Sequence, residues 1–216
     1  MSEETCCIQK GAEDSFQDYW NESFQRRATP NWIERKEPYI MKWVRSMNLP
    51  KSAQIFCAGV GDANIVQHLL DEGYQDIIAN DISDIALERL ASKINSNSVT
   101  FLQDDLIQPR KIGAFHGSID LYIDRATLHF FTTCEAKAHY FQQVDDLLKP
   151  GGYSALGVFS KDNRAKCCGL DLQLWSLDSL KNRFNTYSYL DEASFPFEEI
   201  NGNIRNYIYL LAQKSL

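Results

Sequence analysis

The sequence predicts a seven-stranded, mostly parallel α/β sheet with helices on both faces and a C-terminal antiparallel hairpin. Three observations carry that reading. Short apolar runs at 54–58, 75–80, 99–102, 118–123 and 153–159 alternate with helical patterns, as strands joined by helical crossovers do. Gly59, Gly61 and Asp81 punctuate the first two runs into strand, tight turn, helix and a second strand with an acidic tip. Two extended runs, 187–200 and 204–212, close the chain around Asn201-Gly202, a strong hairpin signal.

A chain of 216 residues suits one domain with a substantial core. Residues 1–14 read as a flexible tail, 15–50 as a helical cover and 51–216 as the main α/β unit. In the cover, Phe16, Tyr19 and Trp20 fall on one helical face. Tyr39, Ile40, Trp43, Val44 and Met47 repeat that spacing before Leu49-Pro50. Such aromatics either pack a helix onto the sheet or form a lid over a pocket. Helix 63–70 buries Ile65, Val66, Leu69 and Leu70, and Ser83 caps helix 84–94. Helix 136–148 is expected to stop at Lys149-Pro150-Gly151-Gly152, and a last helix spans 177–184.

Composition narrows the function. The net charge of −7 argues against a long nucleic-acid partner, which needs clustered Lys and Arg. No apolar run reaches the roughly 18–20 residues that cross a bilayer, so no membrane partner is expected. The acidic, polar first residues are unlike a targeting peptide, and a cytoplasmic setting follows as the expectation. Cys6-Cys7, Cys57, Cys134 and Cys167-Cys168 lack the C-x-x-C spacing of zinc or redox sites and read as free buried thiols. His68, His116 and His139 are scattered, so no metal is expected.

Crossover helices put the C-terminal tips of parallel strands on one edge, where ligands bind. There the chain offers Gly59-Val60-Gly61, Asp81, Asp104-Asp105-Leu106, Asp124-Arg125 and Ser160-Lys161 in strand order. Carboxylates at three tips suit a cationic nucleoside better than a pyrophosphate. Asn64 stands where a dinucleotide fingerprint wants its third glycine, which counts against an NAD(P) oxidoreductase.

Together, Gly59-x-Gly61, Asn80-Asp81-Ile82-Ser83, Gln103-Asp104-Asp105-Leu106, Asp120-Leu121-Tyr122-Ile123-Asp124-Arg125 and Leu147-Leu148-Lys149-Pro150-Gly151-Gly152 resemble a class I S-adenosylmethionine-dependent methyltransferase with its Rossmann-like sheet. The resemblance covers about residues 16 to 213. The runs Asp124-Arg125-Ala126-Thr127-Leu128-His129-Phe130-Phe131 and Cys167-Cys168-Gly169-Leu170 are similar to a subgroup of small bacterial members, itself related to protein-lysine methyltransferases.

The resemblance implies a cofactor, S-adenosylmethionine, with S-adenosylhomocysteine as product. It passes Gly59 and Gly61 under the methionine part and gives Asp81, with Ile82 beside it, the ribose hydroxyls. Asp105 and the Leu106 backbone take the adenine. Asp124 lies by the methionine amine or the sulfonium, and Trp20 and Trp32 belong to the cover. Cys57 departs from the usual acidic residue of the first strand, a loss that Asp62 and Asn64 are placed to offset.

On the acceptor side Asp124 and His129 are the catalytic candidates, although His129 reads more readily as a structural histidine than as a general base. The expected acceptor is a small molecule. A protein lysine and a cofactor-binding protein without turnover are the alternatives. Oligomeric state is open.

Overall fold

The computed structural model describes residues 15–26, 37–199 and 202–216; the expected tail at 1–14, Trp32 and Asn201 lie outside them. Seven strands form one sheet: β1 (Gln54–Ala58), β2 (Asp76–Asp81), β3 (Val99–Gln103), β4 (Ile119–Arg125), β5 (Leu148–Phe159), β6 (Tyr187–Glu198) and β7 (Ile204–Lys214). Their spatial order is β3-β2-β1-β4-β5-β7-β6. The first five pair in parallel, whereas β7 lies antiparallel to both β5 and β6. The expected architecture is the one observed.

Strand alternation divides the core between the two faces of the sheet. Ile55, Cys57, Ile77, Ala79, Leu121 and Ile123 pack with α2 (Ile40–Ser46), α3 (Ile65–Asp71) and α4 (Asp84–Lys93). Phe56, Ala58, Ile78, Tyr122 and Leu156 pack with α5 (Cys134–Leu147) and Leu180 of α6 (Leu177–Lys181). Burial on both faces is why these strands read as nearly continuous apolar runs. Side-chain oxygens cap the helices: Ser83 Oγ accepts from the Ala86 N–H and Thr133 Oγ1 from the Ala136 N–H, each at 3.1 Å.

The two cover helices do different jobs. In α2, Trp43 is buried and its Nε1 donates to Asp191 of β6 at 2.7 Å, while Tyr39 packs on Phe195 and Tyr209. That helix is packed onto the sheet. By contrast α1 (Phe16–Arg26) buries only Phe24 fully and lies against α4 above the strand tips.

Several boundaries differ from expectation. Strand β5 runs through Lys149-Pro150-Gly151-Gly152, because a register shift between Ile119 and Leu121 and a left-handed Gly151 (φ +77°) accommodate the extra residues. After Asp124 a short 3-10 turn, Leu128–Phe130, forms where the Asp124 carboxylate captures the N–H groups of Thr127 and Leu128. Helix α6 ends at Lys181, where Phe184 N–H closes a turn on the Lys181 carbonyl. Finally, Cys57, Cys167 and Cys168 are reduced, but Cys134 is disulfide-bonded, which corrects the expectation of free thiols throughout.

Candidate active site

The turn after β1 holds Gly59 and Gly61 at φ +53° and +55°, the left-handed region that favours glycine. A side chain at Gly59 would collide with Thr127, and a Cβ at Gly61 would sit 3.3 Å from Phe24. The turn therefore presents bare backbone. Next to it, Asp81 Oδ2 accepts from the Gly61 N–H at 2.7 Å and Oδ1 from the Ser83 N–H at 2.8 Å. One buried carboxylate thus ties the glycine turn to the start of α4. Burial raises its pKa to about 6, against the pull of those N–H donors.

At the tip of β3, Asp104 is also buried. Its oxygens collect the N–H groups of Asp105 (3.1 Å), Arg110 (3.0 Å), Lys111 (2.6 Å) and Ile112 (2.8 Å), so the loop folds around it. Burial is the largest single influence and would raise its pKa. The main-chain donors together outweigh it and hold the group below the usual carboxylate range. Asn80 fastens the two tips by donating to the Leu102 and Asp104 carbonyls, both at 3.1 Å.

Beyond β1, towards β4 and β5, the character changes from acidic to aromatic. His129 is buried, its ring parallel to Phe159 at 4.2 Å and tilted on Phe130 at 4.6 Å. Burial, then the charges of Arg125 and Arg205, lower its pKa to about 3, so the imidazole is neutral near pH 7. Its Nδ1 has no hydrogen-bond partner. Arg125 Nε donates to Tyr209 Oη at 3.2 Å, and the guanidinium stacks over Phe197 and Tyr207 at 4.9 and 4.6 Å.

Helix α1 roofs both ends. Trp20 meets Phe130 edge-on at 5.0 Å, Asn21 accepts from Ser83 Oγ at 2.7 Å, and the Tyr19 hydroxyl donates to the Cys168 carbonyl. The walls enclose a cavity of about 320 Å³.

Gly59, Gly61, Asp81 and Ile82 line this cavity, as do Asp105 and Leu106, Trp20 and His129. Trp32 lies outside the described residues. Two of the expected residues lie off the cavity. Asp62 turns its Oδ2 to Lys93 Nζ at 3.0 Å instead of lining the cavity. Asp124 is fully buried away from it. Its Oδ1 accepts from the Thr127 N–H (2.6 Å), and its Oδ2 from the Leu128 N–H (3.0 Å) and Tyr140 Oη (2.6 Å). Burial raises the Asp124 pKa to about 6. Cys57 brings no charge in the missing acid's place: it is buried in β1, and burial pushes its thiol up to about 12.

Two contributors carried no local signal: Tyr140 reaches Asp124 from α5, and Phe24 sits against the glycine turn. A third, Asn80, joins the strand tips, and a lone amide inside a buried apolar strand was its detectable clue. Among the described residues no helix is long and apolar enough to cross a membrane, and no group of His, Cys, Asp or Glu is placed to hold a metal ion.

Comparison with known proteins agrees with this arrangement. Residues 55–152 match a methyltransferase domain family. The bovine eEF1A lysine and N-terminal methyltransferase is 28% identical over 137 residues, covering 62% of this chain but only 19% of its own length. The zebrafish EEF1A lysine methyltransferase 2 is 21% identical over 201 residues, 86% of this chain and 82% of that protein. Among solved structures, an S-adenosylmethionine-dependent methyltransferase from Anabaena variabilis superposes with a TM-score of 0.76 at 15% identity, covering 95% of this chain and 97% of its own.

Proposed function

We propose that the chain is a class I S-adenosylmethionine-dependent methyltransferase, a reading supported by its methyltransferase-domain match over residues 55–152 and by the shared fold, and that it methylates a small-molecule acceptor held at the aromatic end of the cavity. When bound, the cofactor supplies an electrophilic methyl group on a sulfonium. The chain's own residues orient it and exclude water. Asp81 is suited to the ribose hydroxyls, Asp105 and the Leu106 backbone to the adenine, and the bare Gly59–Gly61 backbone to the methionine part. The cradle fits such a group: side chains are sterically shut out at Gly59, and a buried carboxylate stands beside the turn.

The observation that carries the acceptor class is the withdrawal of Asp124. A carboxylate at the acceptor end would suit a lysine ammonium, holding its charge and taking its proton. Here that carboxylate is spent on Tyr140 and the Thr127–Leu128 backbone, and the cationic Arg125 lines the cavity instead. Asp124 then serves as a positioning residue that shapes the Thr127 turn over Gly59. His129 remains neutral and offers a ring nitrogen without a formal charge. A lysine-directed reading is favoured by the names of the relatives. The same proposal takes the enzyme to be cytoplasmic.

The decisive experiment follows S-adenosylhomocysteine formation with lysate divided into metabolite and protein fractions. Turnover with metabolites supports the small-molecule reading, and turnover with protein alone replaces it by the lysine reading. Silence in both, with cofactor binding intact, would indicate a binding protein. At the cofactor, Asp81→Ala is expected to weaken affinity by about 1–3 kcal/mol through lost hydrogen bonds. Wild-type affinity should fall as pH drops through about 6, where Asp81 gains its proton. Unchanged titration isotherms for the variant would mean the ribose lies elsewhere.

A further inference from the structure

Lys166–Cys167 and Leu170–Asp171 form a two-residue antiparallel ladder with Cys168-Gly169 at its tip. Both tip residues have positive φ, +55° and +87°, the combination of a type I′ turn. Glycine is at ease there, whereas cysteine adopts that region only at a cost. The Cys167 and Cys168 sulfurs are in contact at 3.6 Å, and both residues line the cavity. The Cys168 carbonyl also accepts the Tyr19 hydroxyl of the roof helix α1. Adjacent reduced thiols, an unfavoured turn conformation and a direct link to the roof thus meet at one point.

We propose that Cys167 and Cys168 form a reversible vicinal disulfide, driven by a hydroperoxide, that loosens α1 and weakens cofactor binding. The proposal rests on the cavity being the cofactor site. The Cys168 thiolate attacks the terminal peroxide oxygen, breaking the O–O bond to leave a sulfenic acid and release an alcohol (or water). The Cys167 sulfur then displaces the hydroxyl as water and the S–S bond closes. The thiols lose two electrons and two protons, and the hydroperoxide is reduced to alcohol and water. Hydrogen bonding with Cys168 and burial push the Cys167 thiol up, so it keeps its proton while Cys168 reacts and loses it with the hydroxyl that departs as water.

Neighbouring Cα atoms lie about 3.8 Å apart across a trans peptide, short of the ~4.4–6.8 Å that relaxed disulfides span. The resulting bond is easily reduced, as a reversible modification requires. Closing it draws the sulfurs from 3.6 Å to about 2.05 Å and re-aims the backbone that carries the Tyr19 acceptor. Loss of that one hydrogen bond corresponds to roughly fivefold in affinity.

The test treats the full chain with tert-butyl hydroperoxide, maps its peptides by mass and titrates S-adenosylhomocysteine before and after, then again after dithiothreitol. Expected are a loss of about 2 Da in the peptide carrying both cysteines, a Kd raised roughly fivefold, and recovery of both on reduction. In Cys167→Ser and in Cys168→Ser the oxidant should form no such link and leave each variant's own Kd where it started. A mapped peptide that keeps its mass, or gains about 32 Da as sulfinic acid, overturns the proposal, as does a disulfide that leaves Kd unchanged. Reduced wild type that binds no S-adenosylhomocysteine would instead overturn the cofactor reading, with the mass map still deciding whether the link forms.

Discussion

At the β2 and β3 tips, buried carboxylates gather main-chain donors: Asp81 those of Gly61 and Ser83, Asp104 those of Asp105 and residues 110–112. At the β4 and β5 tips, His129 rests on Phe159 by its ring face and Arg125 lies over Tyr207 and Phe197. The same sheet edge thus ends in directional hydrogen bonds on one side and in stacked rings on the other. Hydrogen bonds to main-chain N–H groups fix backbone position and leave unsatisfied donors if the acceptor goes. Ring contacts depend on shape and tolerate exchange of similar volume. An invariant ligand part belongs with the first kind of wall, and a part that differs among related enzymes belongs with the second.

The largest effect that would break this comparison lies at Asp104. Asp104→Ala removes the acceptor around which residues 105–112 fold, and should cost about 3–5 kcal/mol of stability even with water repairing some of the lost bonds. Urea unfolding measures it. A loss under about 1 kcal/mol would mean that the loop holds its shape without the carboxylate, and the acidic end would be no more fixed than the aromatic one.

A pH series sharpens the other side. The folded protein holds the His129 pKa at about 3, far below the ~6.5 of an unfolded chain. Between those values the unfolded state binds more protons, so this histidine costs stability as pH falls below about 6.5. His129→Phe keeps a ring against Phe159 without that burden. The variant should match wild type near pH 8 and exceed it by about 3 kcal/mol at pH 4. Asp81 and Asp124, both raised to about 6, act in the opposite direction by favouring the folded state as they protonate from pH 6 towards 4. They are present in both proteins and cancel in the difference. A stability difference that does not grow with acid would show that the imidazole ionises in place.

How much of this was legible from residues alone divides along the same line. The acidic end was readable because its signal is local: a glycine turn, then an aspartate at the end of an apolar run some 20 residues on. The aromatic end was read less well. His129 was located, but apolar spacing could not register a side chain bending its own backbone into a 3-10 turn after Asp124. Nor could it reveal that Tyr140 on α5 would claim the Asp124 carboxylate, since that contact exists only after sheet and helix have packed. Lys149-Pro150-Gly151-Gly152 does follow the end of α5, but it hid the start of β5: a bulged pairing with β4 begins the strand at Leu148, before residues that in isolation would not extend it. Buried polar partnerships are long-range, and composition at either site does not announce them.

The smallest expected effect concerns the roof that spans both ends. Trp20 is only half-buried, and α1 contributes a single fully buried side chain, Phe24, to the interior. Trp20→Ala should therefore leave the midpoint of urea unfolding nearly where it is. The same truncation opens the cavity where Trp20 meets Phe130 at 5.0 Å, and under the proposed function it removes an aromatic face from beside the cofactor's sulfonium. An exposed cation–π contact is worth about 0.5–1 kcal/mol, which corresponds to a severalfold weaker Kd for S-adenosylmethionine. S-adenosylhomocysteine carries no positive charge on sulfur and should lose less. Equal losses for the two ligands would assign Trp20 to shape alone, and a large drop in unfolding midpoint would make α1 part of the core, removing the contrast between a fixed floor and a lightly held roof.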